Sequence, residues 1–256
     1  VPAGGRVTPA RLAAAAAAGI AVLSCPRRPR VVILATGSEL VAPGDPLGPG
    51  QIYETNGLML AASFGPSGAE VLHEPAVADD ETALRQALER GLAADVLVTS
   101  GGVSVGEHDL VRAAEQELGV REVFWRVSIK PGKPVSFGVR GDTLVFGLPG
   151  NPVSALVGCE LFVKPALRAL QGLAEPLPRF EPGRLLTALR RNEERDEFVR
   201  ARSGLDGDAL VLEPITGQES HMIVRSSAAD ALVHIPRGNG ELAAGSSVRW
   251  LRLATG

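Results

Sequence analysis

Short apolar runs alternate with amphipathic segments along the first two thirds of the chain. Residues 31–35 and 96–98 are apolar throughout, and continuous runs of this length are typical of parallel strands buried on both faces. Apolar residues with helical spacing lie between and after these runs. The pattern predicts strands at 31–35, 70–72, 96–98, 123–127, 135–138 and 143–147, and helices at 8–19, 56–64, 79–92, 108–118 and 153–170. This alternation predicts a doubly wound, mostly parallel α/β sheet.

The pattern changes after the proline-containing segment 176–182. Short strand-like segments follow, and glycines punctuate them. They predict a small β domain, either a barrel or a sandwich. A second proline-containing segment, 26–29, separates the first predicted helix from the first predicted strand and is a candidate domain boundary.

Composition narrows the class of protein. The chain has 256 residues, of which 45% are hydrophobic and 4% aromatic, so Ala, Val and Leu must fill the core. A net charge of −3 argues against a general nucleic-acid binder. We find neither a membrane-span pattern nor a signal peptide, and two distant cysteines fit a reducing cytoplasm. Because Val1 is not a natural initiator, we expect the chain to begin inside a longer protein.

The segment 95–109 has the layout of a strand, a glycine-rich turn and the start of a helix. Glycine lets a backbone approach a ligand closely, and the N–H groups at a helix start attract anions. The segment has neither the dinucleotide fingerprint nor the Lys-Ser/Thr pair of a P-loop. A phosphate-binding turn and a plain strand-to-helix connection therefore both remain open.

Ligands of doubly wound folds lie outside the carboxyl ends of the strands. We therefore expect the loops 36–40, 99–109 and 147–152 to share one edge of the sheet, with Glu39, Asp109 and Asp79 among their carboxylates. Carboxylate oxygens beside a phosphate loop are typical magnesium ligands. The alternative for each carboxylate is simple helix or turn capping.

Basic side chains are expected at the same edge. Lys130 and Lys133 lie in a rigid loop, 129–134, and Arg126 lies just before it. Cations facing the edge would neutralise an anionic ligand; otherwise they are solvated surface groups. The histidines are scattered, and the sequence supports neither a zinc site nor a Ser-His-Asp triad.

Four motifs, in this order, carry a family resemblance. They are Thr-Gly-Ser-Glu-Leu at 36–40, Ser-Gly-Gly-Val-Ser-Val-Gly at 100–106, Lys-Pro-Gly-Lys-Pro at 130–134 and Gly-Leu-Pro-Gly-Asn-Pro-Val-Ser at 147–154. Together they resemble the molybdopterin molybdenumtransferases, the MoeA proteins, which are related to the carboxyl-terminal part of gephyrin. Gly-Gln-Glu-Ser-His-Met at 217–222 is similar to a motif in the last domain of that family.

The resemblance implies a domain organisation and an activity. Residues 27–175 would be the α/β domain, like the smaller MoaB and MogA proteins; 178–254 would be a β-barrel, and 1–26 a remnant of an earlier domain. The family inserts molybdenum from molybdate into adenylylated molybdopterin, with Mg²⁺, and releases AMP. Its members are dimers whose active site joins the third domain of one protomer to the second domain of the other.

The resemblance also implies site residues. Asp109, Lys130, Arg126 and Asp79 would be catalytic, and Glu39 and Asp109 would hold magnesium. Ser38 stands where many members have aspartate, and Arg126 stands where some have lysine. Substrate binding would involve Thr36, Gly37, Ser38, Ser100, Gly101, Gly102, Val103, Ser104, Gly106, Lys133, Pro149, Gly150, Asn151, Pro152 and Ser220.

Two alternatives belong to other classes. A molybdopterin adenylyltransferase would share the α/β domain, although the extra barrel counts against it; in the main hypothesis such an enzyme is the upstream partner. A catalytically incomplete fragment would only bind the pterin or serve as a scaffold. In each case we expect a cytoplasmic protein that pairs with a second copy and acts on a pterin, not on nucleic acid or a membrane.

Overall fold

The computed structural model describes residues 3–78, 80–102 and 110–253. Its first helix, α1, spans Pro9–Ala17, and Thr8 caps it by accepting a hydrogen bond from the Arg11 backbone N–H at 3.3 Å. The strands that follow are β1 (Arg30–Ala35), β2 (Leu40–Val41), β3 (Ile52–Tyr53), β4 (Glu70–His73), β5 (Val96–Ser100), β6 (Arg121–Trp125), β7 (Ile129–Lys130), β8 (Ser136–Arg140) and β9 (Thr143–Leu148). The helices among and after them are α2 (Asn56–Phe64), α3 (Glu81–Gly91), α4 (Leu110–Glu117), α5 (Pro152–Gly158) and α6 (Lys164–Leu170), the last two joined by a π-helical turn, Cys159–Val163.

Six of these strands form one sheet in the order β4-β1-β5-β9-β8-β6. The neighbours from β4 to β9 are parallel, and β8 and β6 are antiparallel additions. The reversal follows from the short connection between β8 and β9, since Arg140 lies opposite Thr143 and Gly141 takes a positive φ of 57°. The prediction of a mostly parallel sheet is confirmed.

Helices cover both faces of this sheet. On one face α2, α5 and α6 bury Leu60, Phe64 and Leu167 against the strands. On the other, α3 and α4 bury Leu88 and Val111. Because both faces are covered, β1 and β5 are buried at nearly every position, and their apolar runs, 31–35 and 96–98, fit this burial.

The last third of the chain is a small closed barrel. Its strands are β10 (Glu181–Leu185), β11 (Leu189–Arg190), β12 (Asp196–Asp206), β13 (Ala209–Pro214), β14 (Ala231–Ile235), β15 (Glu241–Leu242) and β16 (Ser247–Arg252), with a short helix, α7 (Ile223–Ser226). The order β13-β10-β16-β14-β12 closes through a pairing of β12 with β13. Trp250, which is fully buried, fills the interior together with Leu212 and Val233. Of the two predicted β architectures, the structure has the barrel.

The segment 129–134 differs from the loop that the sequence predicts. Ile129 and Lys130 form the two-residue strand β7, which pairs in parallel with Asp196 and Glu197 of β12. The barrel therefore extends by one strand into the α/β unit. Beside it, Val157 of α5 packs against Phe198 and Leu251 in an apolar cluster that joins the two units.

None of the helices in 3–78, 80–102 and 110–253 has the length and apolar character needed to cross a bilayer.

Candidate functional site

A cavity of about 740 Å³ lies at the carboxyl ends of the parallel strands. The loop after β1, the end of β5 and the turn after β9 meet there, so the prediction that these loops share an edge is confirmed for their described parts. The start of α2 and a barrel loop complete the wall. The residues that line the cavity include Thr36, Gly37, Glu39, Glu54, Asn56, Ser100, Gly101, Gly102, Gly150, Asn151, Pro152 and His221.

Asn56, the first residue of α2, holds two parts of the wall together. Its Nδ2 donates to Ser100 Oγ at 2.9 Å and to the Gly150 carbonyl oxygen at 2.8 Å. The amide is therefore fixed between the end of β5 and the turn before α5. Its buried Oδ1 has no hydrogen-bond partner in the described part of the chain. The sequence motifs did not single out this residue.

Thr36 presents a second unpaired group beside the same loop. The residue is 4% exposed, and its Oγ1 has no partner among the described atoms. Its backbone is held firmly, because the Thr36 N–H donates to the Ser100 carbonyl at 2.9 Å. Buried polar atoms without partners are costly in a finished fold. Two of them beside one cavity indicate a place for a polar ligand.

Gly101 and Gly102 close the turn after β5 with positive φ values of 92° and 67°. A Cβ on Gly101 would collide with the Thr36 carbonyl, and one on Gly102 would collide with Val111 and lie 2.9 Å from Thr36 Oγ1. Glycine is therefore required here by the approach of the chain to itself. Because glycine has no side chain, the backbone of this turn faces the cavity directly.

The described carboxylates of the cavity are Glu39 and Glu54, and they differ in setting. Glu54 is buried; its Oε1 accepts from the Gly57 N–H at 2.7 Å, and its Oε2 lies 3.3 Å from Nε2 of His73. That second distance suits an ion pair, but the two atoms are not aligned as a hydrogen bond. Glu39 is exposed, and its carboxylate folds over Gly37. Glu39 is the carboxylate better placed to meet a ligand or a metal ion.

A magnesium site would not be completed by these side chains alone. Within 3–78, 80–102 and 110–253 there is no group of three or more His, Cys, Asp or Glu residues that could hold a metal ion. Magnesium commonly takes one or two carboxylates and fills its other positions with water and phosphate oxygens. Glu39, as a hard oxygen donor beside an anion-accepting turn, fits that mode of binding.

The barrel contributes a loop, residues 215–226, to the cavity. His221 lines it, and the Ser220 carbonyl accepts a hydrogen bond at 3.1 Å from the N–H of Val153, in the first turn of α5. Ser220, predicted from the family motif, thus contacts α5 through its backbone. Pro152 is the first residue of the same helix, where its missing N–H costs nothing.

Arg200 of β12 organises this loop from beneath. It is completely buried and donates to the carbonyls of Gly217 at 2.7 Å, Met222 at 3.1 Å and Glu219 at 3.4 Å, and at 2.5 Å to Ser226 Oγ. Burial lowers the pKa of Arg200 from its ordinary value. Sequence reasoning missed the residue. The available signal is a charge inside the apolar strand pattern 198–201, on the face that alternation assigns away from the barrel interior.

The basic residues Arg126, Lys130 and Lys133 are not among the residues that line the cavity. Lys130 belongs to β7, and its Nζ lies 2.7 Å from Glu197 Oε1 of the barrel. Lys133 is exposed, and its carbonyl accepts from the Val127 N–H. Arg126 stacks on Trp125. The physical reason is the strand pairing with β12, which draws this segment towards the barrel.

The remaining predicted residues have these positions. Ser38 is exposed in the turn after β1, Pro149 is buried, and Gly150 and Asn151 are exposed just before α5. Asp79, Val103, Ser104, Gly106 and Asp109 lie outside the described residues. The structure thus brings together the Thr36–Glu39, Ser100–Gly102 and Gly150–Pro152 parts of the predicted site.

Comparisons with known proteins agree with this architecture. Residues 32–169 match a family model described as "Probable molybdopterin binding domain", and residues 182–253 match the MoeA C-terminal region, domain IV. A molybdopterin molybdenumtransferase 2 of Mycobacterium tuberculosis is 39% identical over 249 residues, which cover 95% of this chain and 61% of that protein. A molybdopterin molybdenumtransferase of Nostoc is 35% identical over 264 residues, covering 98% and 61%.

Solved structures give the same result. A molybdopterin biosynthesis MoeA protein from Pyrococcus horikosii superposes with a TM-score of 0.82 at 32% identity, over 98% of this chain and 61% of that one. A molybdenum cofactor biosynthesis protein from Pyrococcus furiosus gives a TM-score of 0.71 at 25% identity, over 96% and 76%. The chain spans about three fifths of the length of the curated relatives described above.

Proposed function

Since the chain belongs to the MoeA family of molybdopterin-binding proteins, we propose that it acts in molybdenum cofactor biosynthesis as part of a molybdopterin molybdenumtransferase. The reaction would transfer molybdenum from molybdate into adenylylated molybdopterin and release AMP. The substrates would be molybdate and the adenylylated pterin, and a molybdopterin adenylyltransferase would supply the latter. The protein would work in the cytoplasm.

The observation that carries this proposal is the polar cavity at the carboxyl edge of the sheet. Its volume, about 740 Å³, suits a ligand with several rings and phosphates. Thr36 Oγ1 and Asn56 Oδ1 lie at its wall without hydrogen-bond partners among the described residues. A pterin, with ring N–H donors, and a phosphate, with acceptor oxygens, would supply partners of both kinds.

The bare turn Gly101–Gly102 is the proposed contact for the phosphates. Gly101 and Gly102 have no side chains to separate their backbone from the cavity, and Val103, Ser104 and Gly106, which follow in the sequence, would be further substrate-binding residues. Pro149, Gly150, Asn151 and Pro152 would form the opposite side. Thr36, Gly37, Ser38 and Ser100 would contact the pterin portion from the end of β1 and β5.

Magnesium would be held by Glu39 together with Asp109, and its charge would offset that of the phosphates when it is bound. Asp79 would be a further catalytic carboxylate. Among the cations, Arg126, Lys130 and Lys133 would attract molybdate, and Glu197 would serve as the resting counterion of Lys130. Charge compensation and positioning are sufficient for such a reaction, and no side-chain nucleophile is required.

The barrel loop distinguishes this proposal from an adenylyltransferase function. His221 reaches the cavity, and Ser220 is hydrogen-bonded to the first turn of α5. Because the barrel builds part of this wall, the barrel domain would have a direct role at the site. An adenylyltransferase function would need only the α/β domain, and it would leave these barrel contacts without a role.

We further propose that the complete enzyme is a homodimer in which a domain beyond this chain closes the cleft of the partner. The chain alone would then bind the pterin, yet insert molybdenum negligibly. Charges that face open water are screened, so the binding of magnesium and phosphate weakens when the cleft is open. Pairing through the domains present here would still be favoured.

Calorimetric titration with adenylylated molybdopterin tests the binding site. We expect saturable binding by the parent chain, weaker binding by Asn56→Ala and Thr36→Val, and parental binding by Ser247→Ala, an exposed barrel control. Failure of the parent chain to bind the pterin would contradict the proposal.

The activity is tested by molybdate-dependent AMP release, measured on this chain and on a full-length relative at equal concentration, with light scattering on both. We expect release by the relative alone. ATP-dependent adenylyl transfer by the chain would favour the adenylyltransferase alternative, and insertion at a comparable rate would contradict the shared cleft.

A further inference from the structure

The indole of Trp125, the last residue of β6, is covered on both faces by guanidinium groups. The Cζ atom of Arg112 lies 3.8 Å from the ring centroid, and that of Arg126 lies 3.9 Å from it. Two guanidinium groups this close to one centroid cannot share a face without overlapping. The ring is therefore the centre of a sandwich that joins the first turn of α4 to the start of the 126–134 segment.

The two cations of the sandwich differ in their counterions. Arg112 is largely buried and donates to Glu122 Oε2 from Nε at 3.0 Å and from a terminal nitrogen at 2.6 Å. Arg126 is exposed, and no described carboxylate lies within ion-pair distance of it. Among the described residues, the arginine on one face of the indole thus has a carboxylate counterion and the arginine on the other face has none.

The backbone of Arg126 is held in an unfavourable conformation. Its φ is 70°, the only positive value among the described residues other than glycine. L-residues avoid this region because the Cβ approaches the backbone too closely, and such strain persists where the surroundings enforce it. Here the Arg126 N–H donates to the Val135 carbonyl at 3.0 Å, and Trp125 is fixed opposite Ser136 in the sheet.

A surface arginine that only solvates its loop needs neither constraint. Its long side chain would sample many rotamers, and glycine would suit the backbone better. Stacking on a fixed ring removes most of that freedom and leaves the N–H edge of the guanidinium free to donate. A planar, oriented donor edge without a counterion is suited to an oxyanion.

We propose that Trp125 is a positioning residue that holds Arg126 in a fixed orientation for binding a tetrahedral oxyanion, with Arg112 and Glu122 bracing the opposite face of the ring. The inference rests on the proposed function only in taking that oxyanion to be molybdate. Trp125 itself does not contact the anion. It acts by presenting the guanidinium.

The chain offers a direct spectroscopic test, because it contains two tryptophans, and the other, Trp250, is fully buried in the barrel. Labelling with 5-fluorotryptophan gives one ¹⁹F signal for each, and Trp125→Phe assigns them. On titration with sodium molybdate we expect the Trp125 signal to shift saturably while the Trp250 signal stays in place. In Arg126→Ala the Trp125 shift should be lost.

Two pairs of variants separate positioning from folding. Trp125→Leu removes the aromatic face and should weaken molybdate binding by about three- to ten-fold, whereas Trp125→Phe keeps a face and should retain most of it. Arg126→Gly should unfold at an equal or higher temperature than the parent, because it relieves the strained backbone, while losing the molybdate response.

Several results would overturn the inference. They are a Trp125 shift that persists in Arg126→Ala, molybdate binding by Trp125→Leu as tight as in the parent, or no Trp125 response in the parent. Pterin binding in the cavity is measured separately, so this failure can be told apart from failure of the proposed function.

Discussion

Asn56 and Arg200 each hold a different part of the cavity wall in place, and they do so with different chemistry. Asn56 is neutral and ties Ser100 to Gly150 through one amide. Arg200 is charged and completely buried, and it holds the barrel loop by donating to several carbonyls. Its charge meets backbone dipoles there, with no hydrogen-bonded carboxylate among the described residues.

The difference indicates which part of the cavity wall depends on a single side chain for its shape. The wall at Asn56 joins ends of strands that the sheet already fixes, so the amide refines a position that the fold supplies. The barrel loop contains only the short helix α7, and its shape depends on Arg200. Loss of the Asn56 amide should weaken the contact between Ser100 and Gly150. Loss of the Arg200 guanidinium should leave the barrel loop without its ordered shape.

The largest expected effect is that of Arg200→Ala. Its hydrogen-bonded carbonyls would lose their donors inside the protein, and we expect a loss of about 3 kcal/mol in the free energy of unfolding. Urea denaturation followed by circular dichroism measures this. Arg200→Met, which fills the space without a charge, should lose less because it also removes the cost of burying the guanidinium. An Arg200→Ala chain within 0.5 kcal/mol of the parent, roughly the spread of neutral surface changes, would end the comparison.

Asn56→Ala should cost less, about 2 kcal/mol, because two neutral hydrogen bonds are lost. Thermal denaturation should show a fall of roughly 4–8 °C for a chain of this length. Asn56→Asp is the matched variant: it keeps the shape but cannot donate to the Gly150 carbonyl, so it should resemble the alanine change. An aspartate variant as stable as the parent would show that shape, and not donation, matters.

A third interaction that holds two segments together is the ion pair between Arg27 and Asp95, which lies at the surface. Asp95 also accepts from the Arg30 N–H at 2.7 Å, so it anchors the connector before β1. The hydrogen bond from Arg27 lowers the pKa of Asp95 to about 2. A lowered pKa stabilises the fold fully above the ordinary range of the carboxyl, and the stabilisation is lost as the pH falls from about 4 towards 2.

We therefore expect Asp95→Asn to be destabilised at pH 7 and the difference from the parent to shrink below pH 4. Because 68% of the Arg27 side chain is exposed, solvent screening keeps the difference small. Denaturation at pH 7, 4 and 2.5 measures it. A difference that is independent of pH would assign the effect to lost shape rather than lost charge.

The smallest effect on stability is expected for Thr36→Val. The hydroxyl has no partner among described atoms, so its removal should change the unfolding free energy by less than about 0.5 kcal/mol. Pterin binding should nevertheless weaken, whereas Thr36→Ser should bind like the parent. A clear loss of stability in the valine variant would mean that the hydroxyl already serves the fold.

Much of the framework could be predicted from the sequence. Continuous apolar runs predicted β1 and β5, helical spacing predicted α2 at its observed bounds, and glycine-punctuated segments predicted a small β domain, which is a barrel in the structure. The meeting of the loops after β1, β5 and β9 followed from parallel-strand topology alone. These features depend on local pattern, which a single sequence displays.

What the sequence did not display depends on pairing between distant segments. Lys130 was expected in a loop facing the cavity, but its strand partner lies near residue 196, and neither segment indicates the other. Asn56 and Arg200 donate mainly to backbone carbonyls, and because every residue has a carbonyl, the sequence does not indicate which ones they bind. The glycines at 101 and 102 were predicted for a ligand, yet contacts with Thr36 and Val111 already require them.

The pairing of β7 with β12 also determines the order in which parts of the structure can form during synthesis. A ribosome releases Ile129 and Lys130 well before Asp196 and Glu197, although these are the residues that complete the small strand. The central sheet has all its strands once Leu148 has emerged, whereas the basic segment must wait for the barrel. During synthesis, Lys130 is therefore without its strand partner and without Glu197 after the sheet can already form. The barrel, made after the α/β domain, thus determines the strand pairing and the ion pair of a segment of that domain.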